Sequence, residues 1–232
     1  MSITSQRAGG LAGIGFGVVV LTANIILGSA GQPFAGAEKP EVLEFFATSE
    51  TVVRLGSAVA PLAWVCLLVF AAGVAAAARS RSVARADGWA LIGVGGAAMQ
   101  NSLFAGVVAC QLVLANASLS EDVAWGVWEL HNALFALNAT SLAVIMLSLS
   151  VAGLRTGLIR RWHGTLGLVG AAAMTTAAMT SPWAAHGGAL GMIGFAGFVI
   201  WLVWIVTYGV RLVRAEERPA EISTQLPMVA MV

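Results

Sequence analysis

Six long apolar segments, separated by short links that hold most of the charge, constrain what this chain can fold into. Each segment reaches the ~17–25 residues that a helix needs to cross the hydrocarbon core of a bilayer. Only 10% of the residues are charged, whereas soluble domains carry about 25%. We therefore predict an all-α fold, a polytopic membrane helical bundle whose six transmembrane helices form a single domain over residues 1–214. The segments fall at about 9–30, 51–78, 88–115, 123–154, 163–180 and 188–213.

A cleaved signal peptide is the alternative interpretation of the first segment. Small residues at 34–37 (FAGA) would suit cleavage. However, the apolar part of a signal peptide is usually only ~7–15 residues long, and the segment at 9–30 is longer. We therefore interpret it as a transmembrane helix.

Basic and acidic residues alternate from link to link, and this alternation predicts the orientation. Ten of the twelve Lys and Arg residues lie near the two termini or in the links at 79–87 and 155–162, whereas acidic residues occupy the links at 31–50 and 116–122. Because basic loops stay on the cytoplasmic side, both termini are predicted to face the cytoplasm, in a bacterial cytoplasmic (inner) membrane. The ten residues are Arg7, Arg79, Arg81, Arg85, Arg155, Arg160, Arg161, Arg211, Arg214 and Arg218.

The longest external connection, residues 31–50, is predicted to hold a short helix at the membrane surface. In residues 40–46 (PEVLEFF), Pro40 would occupy the first turn, where its missing N–H is not needed. Leu43, Phe46 and Ala47 are expected to share the apolar face of this helix. After the last span, residues 215–232 contain two prolines among mixed residues, so we predict a cytoplasmic tail that is partly disordered.

A short sequence match indicates an internal duplication. Residues 94–99 (VGGAAM) of the third segment match residues 169–174 (VGAAAM) of the fifth, and both segments follow an arginine-bearing link. Helices two and three would then be repeated, in parallel orientation, as helices four and five. A chance match in a chain rich in Ala and Gly is the alternative.

Polar side chains within the predicted spans are the first candidates for a functional site, because burying them in lipid is costly. Arg54 and Glu129 carry opposite charges at one depth, which favours an ion pair, with separate snorkelling to the interface as the alternative. Several amides also lie in the outer halves of their spans, where each alone would bond between helices. Together these residues predict a polar vestibule that opens outward. Its candidate ligand-binding residues are Arg54, Glu129, His131, Asn132, Asn101, Gln111 and Asn24.

The histidines are the candidates for a metal or heme site. His131 and His186 both lie near the outer face, and two histidines on different helices could hold a heme iron or a copper. Neither has a further ligand on its own helix at metal-binding spacing, so we predict no metal and no cofactor and keep heme as an alternative. His163 is expected at the cytoplasmic interface.

Tryptophans are expected mainly at the membrane interfaces, where their amphipathic rings are favoured. Trp125, Trp128 and Trp183 are predicted to lie near the outer interface. Trp201 and Trp204 fall in the middle of the last segment, so we expect them to pack against other helices or to face lipid.

Three motifs carry a resemblance to a known group of proteins. They are residues 40–46 (PEVLEFF), residues 128–138 (WELHNALFALN), and the arginine-bearing turn formed by 154–157 (LRTG) with 161–164 (RWHG). In this layout the chain resembles small six-helix integral membrane proteins of actinobacteria that are classed under a domain of unknown function. The resemblance spans most of the chain, rests on motifs of low specificity, and implies a fold without implying catalytic residues.

We predict a non-enzymatic integral membrane protein, because no P-loop, GxSxG or HExxH motif is present. It would bind or pass a small apolar or amphipathic ligand through an outward-facing cavity, or serve as an accessory subunit of a membrane complex. The lipid bilayer is the expected partner, with other membrane subunits or a second copy as further candidates and no nucleic acid. The alternatives are a heme- or copper-binding membrane oxidoreductase or electron carrier that uses His131 and His186, and an ion-coupled transporter that uses Arg54 and Glu129.

Overall fold

The computed structural model describes residues 4–81, 88–116, 118–184 and 189–214. Within these ranges all regular secondary structure is helical, which confirms the predicted all-α class. A helix lies at each of the six apolar segments, and a seventh lies at the predicted surface helix. The helices are α1 (Ser5–Ser29), α2 (Lys39–Thr48), α3 (Glu50–Arg81), α4 (Trp89–Leu114), α5 (Glu121–Arg155), α6 (Arg161–Ala184) and α7 (Ala189–Arg214). The predicted tail at 215–232 lies outside the described residues.

Five of these helices, α1, α3, α4, α5 and α7, are long and apolar enough to cross a membrane. Helix α6 is not among them, although it has 24 residues. Its sequence is rich in Gly, Ala and Thr, which lower the mean hydropathy that the larger aliphatic residues give the other helices. It nevertheless packs lengthwise between α5 and α7 as a full member of the bundle.

The six long helices stand side by side in a closed ring. In the order α1, α3, α4, α5, α6 and α7, each helix packs against the next, and α7 closes the ring against α1. Helices α3, α5 and α7 also touch across the middle, where the main apolar core lies. Core side chains include Leu67, Phe70, Ile145, Met146, Trp201 and Trp204. The two tryptophans expected in mid-span therefore pack inside the bundle.

The crossing of α1 and α3 depends on two facing glycines. A Cβ atom added to Gly73 would lie 2.6 Å from the Cα atom of Gly9, and the reverse contact is equally short. Backbones that approach this closely gain van der Waals contact along the helices, which is the main attraction between helices in lipid. Gly9 and Gly73 therefore set the distance between α1 and α3.

The two ends of the ring differ in charge. One end, here called the arginine end, carries arginines at the start of α1, at the ends of α3 and α7, and at the α5–α6 turn. The opposite end, here called the acidic end, carries α2 and the starts of α3 and α5. All the acidic residues in the described ranges lie in the half of the bundle toward the acidic end. These are Glu38, Glu41, Glu44, Glu50, Glu121, Asp122 and Glu129.

The turn between α5 and α6 folds back to close the arginine end. Gly157 has a φ of 68°, in the left-handed region that favours glycine, and the next two residues, Leu158 and Ile159, are buried in the core. Arg81 Nη1 donates a hydrogen bond to the carbonyl oxygen of Gly157, and Arg211 Nε donates one to that of Leu158, both at 3.2 Å. Two helices from elsewhere in the ring thus hold this turn in place.

Helix α2 lies across the acidic end, over the tips of α3, α4 and α5. Pro40 lies in its first turn, as predicted. Val42, Phe45 and Phe46 are buried in a small apolar cluster with residues of those three helices. A salt bridge of 2.8 Å from Lys39 to Asp122 joins the start of α2 to the start of α5.

The buried face of α2 differs from the predicted one. Phe46 is buried as expected, but Leu43 is only half-buried and Ala47 is exposed. The physical reason is size, because Val42 and Phe45 bury more apolar surface against the helix tips than Leu43 and Ala47 would. The helix is therefore rotated toward these two residues.

Candidate functional site

A groove of about 180 Å³ opens at the acidic end between α2, α4 and α5. Most of its lining is apolar, and its polar members, Asn116 and Glu121, are both exposed. The lining residues are Leu43, Phe46, Ala47, Leu114, Asn116, Leu119, Glu121 and Ala124. The groove thus combines an apolar interior with polar groups at the surface.

An aromatic column continues from this groove into the bundle. Phe46 meets Trp128 edge to face, with ring centroids 5.9 Å apart. Trp128 stacks on His131 at 4.8 Å and an interplanar angle of 9°, and His131 lies parallel to Phe135 at 6.3 Å. Phe46 and Trp128 form a buried floor of the groove with the buried His131 beneath it, whereas Phe135 at the end of the column is 54% exposed.

Trp128, predicted to lie near the outer interface, is buried beneath α2 at the acidic end. Helix α2 covers it, and its indole ring fills the space between Phe46 and His131. The sequence does carry a signal for this placement, because Ala124, Trp128, His131 and Phe135 follow helical spacing along one stripe of α5.

A short chain of hydrogen-bonding side chains centres on His131. Gln111 Nε2, on α4, lies 3.3 Å from His131 Nε2. On the other side of the ring, His131 Nδ1 lies 3.2 Å from Asn132 Oδ1. Because the amide nitrogen of Gln111 only donates, His131 accepts at Nε2 and donates from Nδ1 to Asn132. The imidazole is therefore neutral in this arrangement, and both of its nitrogens are occupied.

Three of the seven predicted vestibule residues, Gln111, His131 and Asn132, are thus brought together. The predicted partner of His131 in a metal or heme site, His186, lies outside the described residues. Within the described ranges, no group of three or more His, Cys, Asp or Glu side chains could hold a metal ion.

The charged members of the predicted vestibule are placed differently. Arg54 forms its ion pair with Glu50, one turn earlier on α3, and the predicted pair with Glu129 is not formed. Glu50 is favoured over Glu129 because residues four apart on one helix are neighbours. Arg54 and Glu129 are both exposed. Asn24 is exposed as well and bonds to the carbonyl oxygen of Val20 in its own helix at 2.8 Å.

Asn101 lies deeper than the groove, at the contact between α3 and α4. Its Nδ2 donates to the backbone carbonyl oxygen of Trp64 at 2.9 Å. This contact ties the middle of α3 to the middle of α4, and it includes no residue of the groove lining.

His163, expected at the cytoplasmic interface, is buried near the arginine end. Its Nε2 donates to the backbone carbonyl oxygen of Trp204 at 3.1 Å. Trp204 Nε1 in turn donates to Ser150 Oγ at 3.1 Å, and Tyr208 Oη donates to the carbonyl oxygen of Leu149 at 3.3 Å. These bonds join α5, α6 and α7, so their role is to hold three helices in register.

No protein family, curated protein or solved structure matches this chain.

Proposed function

We propose that this chain is a non-enzymatic membrane protein that binds a small apolar or amphipathic ligand in the groove at its acidic end. The observation that carries the proposal is the combination of an open apolar groove with a buried aromatic floor formed by Phe46 and Trp128. Apolar walls with a few polar groups at defined positions are typical of small-molecule sites.

The size of the groove limits the ligand. Pockets for drug-sized molecules measure about 300–1,000 Å³, whereas this groove measures about 180 Å³. It suits a small molecule, or one end of a longer amphipathic one. Asn116 and Glu121 lie where a polar head would remain in water.

Two features weigh against the alternative functions. Arg54 is paired with Glu50 and exposed, so it is not poised to couple an ion to Glu129. Both ring nitrogens of His131 are engaged by Gln111 and Asn132, so an iron or copper would have to displace one of these bonds.

The proposed setting is a bacterial cytoplasmic membrane, with six spans and both termini in the cytoplasm. Support comes from the separation of charge, since eight arginines of the described ranges lie at the arginine end and all seven described acidic residues lie toward the other. Basic residues favour the cytoplasmic side, so the groove would open outward. We also propose the duplication of helices two and three as helices four and five, and the resemblance to the actinobacterial group.

Photolabelling in proteoliposomes tests the ligand site. A diazirine-bearing octanol should label residues of α2 and the α4–α5 connection, and excess octanol should displace this label. Labelling spread evenly over the lipid-facing helices, with no displacement, would show that the groove binds no such ligand.

Reporter fusions in bacteria test the topology separately. Alkaline phosphatase, active only outside, should be active after Gly36, Ser118 and Trp183 and inactive after Gly157. Green fluorescent protein, fluorescent only inside, should fluoresce after Arg214. An inactive phosphatase after Trp183 would show that α6 does not cross, and fluorescence after Arg214 would then show that α7 does not cross either.

A further inference from the structure

A second group of polar side chains lies in the contact between α3 and α4, away from the groove. The hydrogen bond from Asn101 to the Trp64 carbonyl oxygen marks the middle of this contact. Of the six neighbouring helix pairs in the ring, α3 and α4 have the least extensive contact. We call this contact the α3–α4 seam.

Four buried side-chain atoms at the seam have no hydrogen-bond partner. Helix α3 contributes Ser57 Oγ and Trp64 Nε1, and α4 contributes Gln100 Oε1 and Asn101 Oδ1. Ser57 and Gln100 are only 7% and 6% exposed. Buried polar groups in proteins are nearly always paired, and an unpaired one calls for an explanation.

The positions of Ser57, Trp64 and Asn101 place them along the α3–α4 contact, with Ser57 about two helical turns from Trp64. Val53 packs in one apolar cluster with Leu114 of α4, and Ser57 and Trp64 follow Val53 on the same face of α3 at helical spacing. On α4, Gln100 follows Gly96, which packs against Ile145 of α5. Ser57, Trp64 and Asn101 therefore line the junction of α3 and α4, and Gln100 lies beside it on the side of α4 that faces α5.

Pro61 adds a further acceptor to the same stretch of α3. It lies inside the helix and has no N–H, so the backbone carbonyl of Ser57 lacks the helical donor it would otherwise have. Proline inside a membrane helix is tolerated where other groups satisfy the freed carbonyl.

The chemistry of these groups specifies a neutral partner that both donates and accepts hydrogen bonds. Trp64 Nε1 only donates, the two amide oxygens and the carbonyl only accept, and Ser57 Oγ does both. Helix α4 contains no charged residue, and Arg54 of α3 is exposed and paired with Glu50. A phosphate or a carboxylate would find no cation here, whereas a hydroxyl group meets both requirements.

We propose that the α3–α4 seam is a binding site for the hydroxyl group of a neutral, lipid-soluble alcohol that enters sideways from the bilayer. The surface beside the seam is apolar and exposed, at Val65 and Leu68 on α3 and at Ala98 on α4, so the chain of such an alcohol would lie against it. This site is independent of the groove, which lies at the acidic end and shares no residue with it.

The first test uses a diazirine-bearing hexadecanol and its methyl ether in proteoliposomes of the full chain. The ether keeps the oxygen acceptor but replaces the hydroxyl hydrogen with a methyl group, so it cannot donate a hydrogen bond. We expect the alcohol to label residues 57–68 and 97–105 about tenfold more than the ether does. A tenfold ratio in binding corresponds to about 1.4 kcal/mol, which is of the order of one hydrogen bond. Equal labelling by both probes would overturn the proposal, and it would leave the groove proposal intact because groove adducts map to α2 and the α4–α5 connection.

The second test uses Gln100→Leu, with Ser102→Ala as the matched control. Ser102 lies on α4, is exposed and bonds only within its own helix. Gln100→Leu should abolish the preference for the alcohol and leave the thermal midpoint of the unliganded protein unchanged or raised, because an unpaired buried amide is replaced by an apolar group. A lowered midpoint, or a preference for the alcohol that persists, would contradict the proposal, since Gln100 would then serve the structure alone.

Discussion

The side-chain amide of Gln111 and the imidazole of His131 meet at 3.3 Å, directly below the aromatic floor of the groove. The contact joins α4 to α5, and the neutral imidazole passes the chain of hydrogen bonds on to Asn132. It also fixes the ring of His131 in the orientation that stacks on Trp128. The polar contact and the aromatic floor are therefore one structural unit.

A double-mutant cycle should reveal this contact as a coupled pair. Gln111→Leu leaves the buried Nε2 of His131 without its donor. It should destabilise the protein by about 1 kcal/mol, as is typical of hydrogen bonds between membrane helices. His131→Phe keeps an aromatic ring against Trp128 and removes both ring nitrogens. The double variant should lose less than the sum of the single losses, as measured by reversible unfolding in SDS. Strict additivity would mean that the two side chains do not interact.

Trp128→Ala should release α2 from the acidic end. Removing a buried Trp side chain typically costs about 3–5 kcal/mol, and here Phe46 would lose its aromatic partner as well. Hydrogen exchange should become faster in the backbone amides of α2, with little change in α6. Trp183→Ala is the control, because Trp183 is 72% exposed. Unchanged protection of α2 in Trp128→Ala would show that other contacts hold this helix.

Much of the fold follows from the sequence because the length and hydropathy of a helix are local properties. The register of the α4–α5 hairpin could also be read from the sequence. Gln111 and His131 lie equally far along the chain from Glu121, so they meet at one depth in an antiparallel pair. The ion pair of Arg54 was predicted wrongly because depth alone does not identify a partner, and Glu50 on the same helix competes successfully.

The groove itself could not be predicted from the sequence. It depends on how α2 is rotated over the tips of the other helices. Packing against α3 and α5 decides that Val42 and Phe45 are buried in place of Leu43 and Ala47. The α3–α4 seam was also missed, although one signal was present. Pro61 in the second apolar segment marks a carbonyl that its own helix cannot satisfy.

Gly73→Ala should weaken the crossing of α1 and α3. The added Cβ atom would lie 2.6 Å from the Cα atom of Gly9, and backbone atoms on both sides leave no flexible side chain to give way. Overpacking of this kind costs about 1–3 kcal/mol, which should appear as a lower thermal midpoint. Gly95→Ala, on the exposed face of α4 with nothing within 4 Å of the new atom, should leave the midpoint unchanged or raise it. Equal midpoints for the two variants would contradict the close crossing.

Arg211→Met should loosen the turn that closes the arginine end. The variant loses the hydrogen bond to the carbonyl oxygen of Leu158, so trypsin should cleave after Arg155 or Arg160 faster than in the unchanged protein. Arg214→Met, in the exposed last turn of α7, should not change the rate. Cleavage at the same rate in both variants would mean that the bond from Arg211 does not hold the turn.

The most direct test of the central proposal is the fraction of octanol photolabel in the groove that excess octanol displaces, compared among three proteins. Ala47→Phe places a large ring in the groove, whereas Glu44→Phe adds the same ring to the exposed face of the same helix. We expect displaceable labelling to be equal in the unchanged protein and in Glu44→Phe, and about tenfold lower in Ala47→Phe, equivalent to a loss of about 1.4 kcal/mol of binding free energy. Equal displaceable labelling in all three proteins would contradict the proposal that the groove binds the ligand.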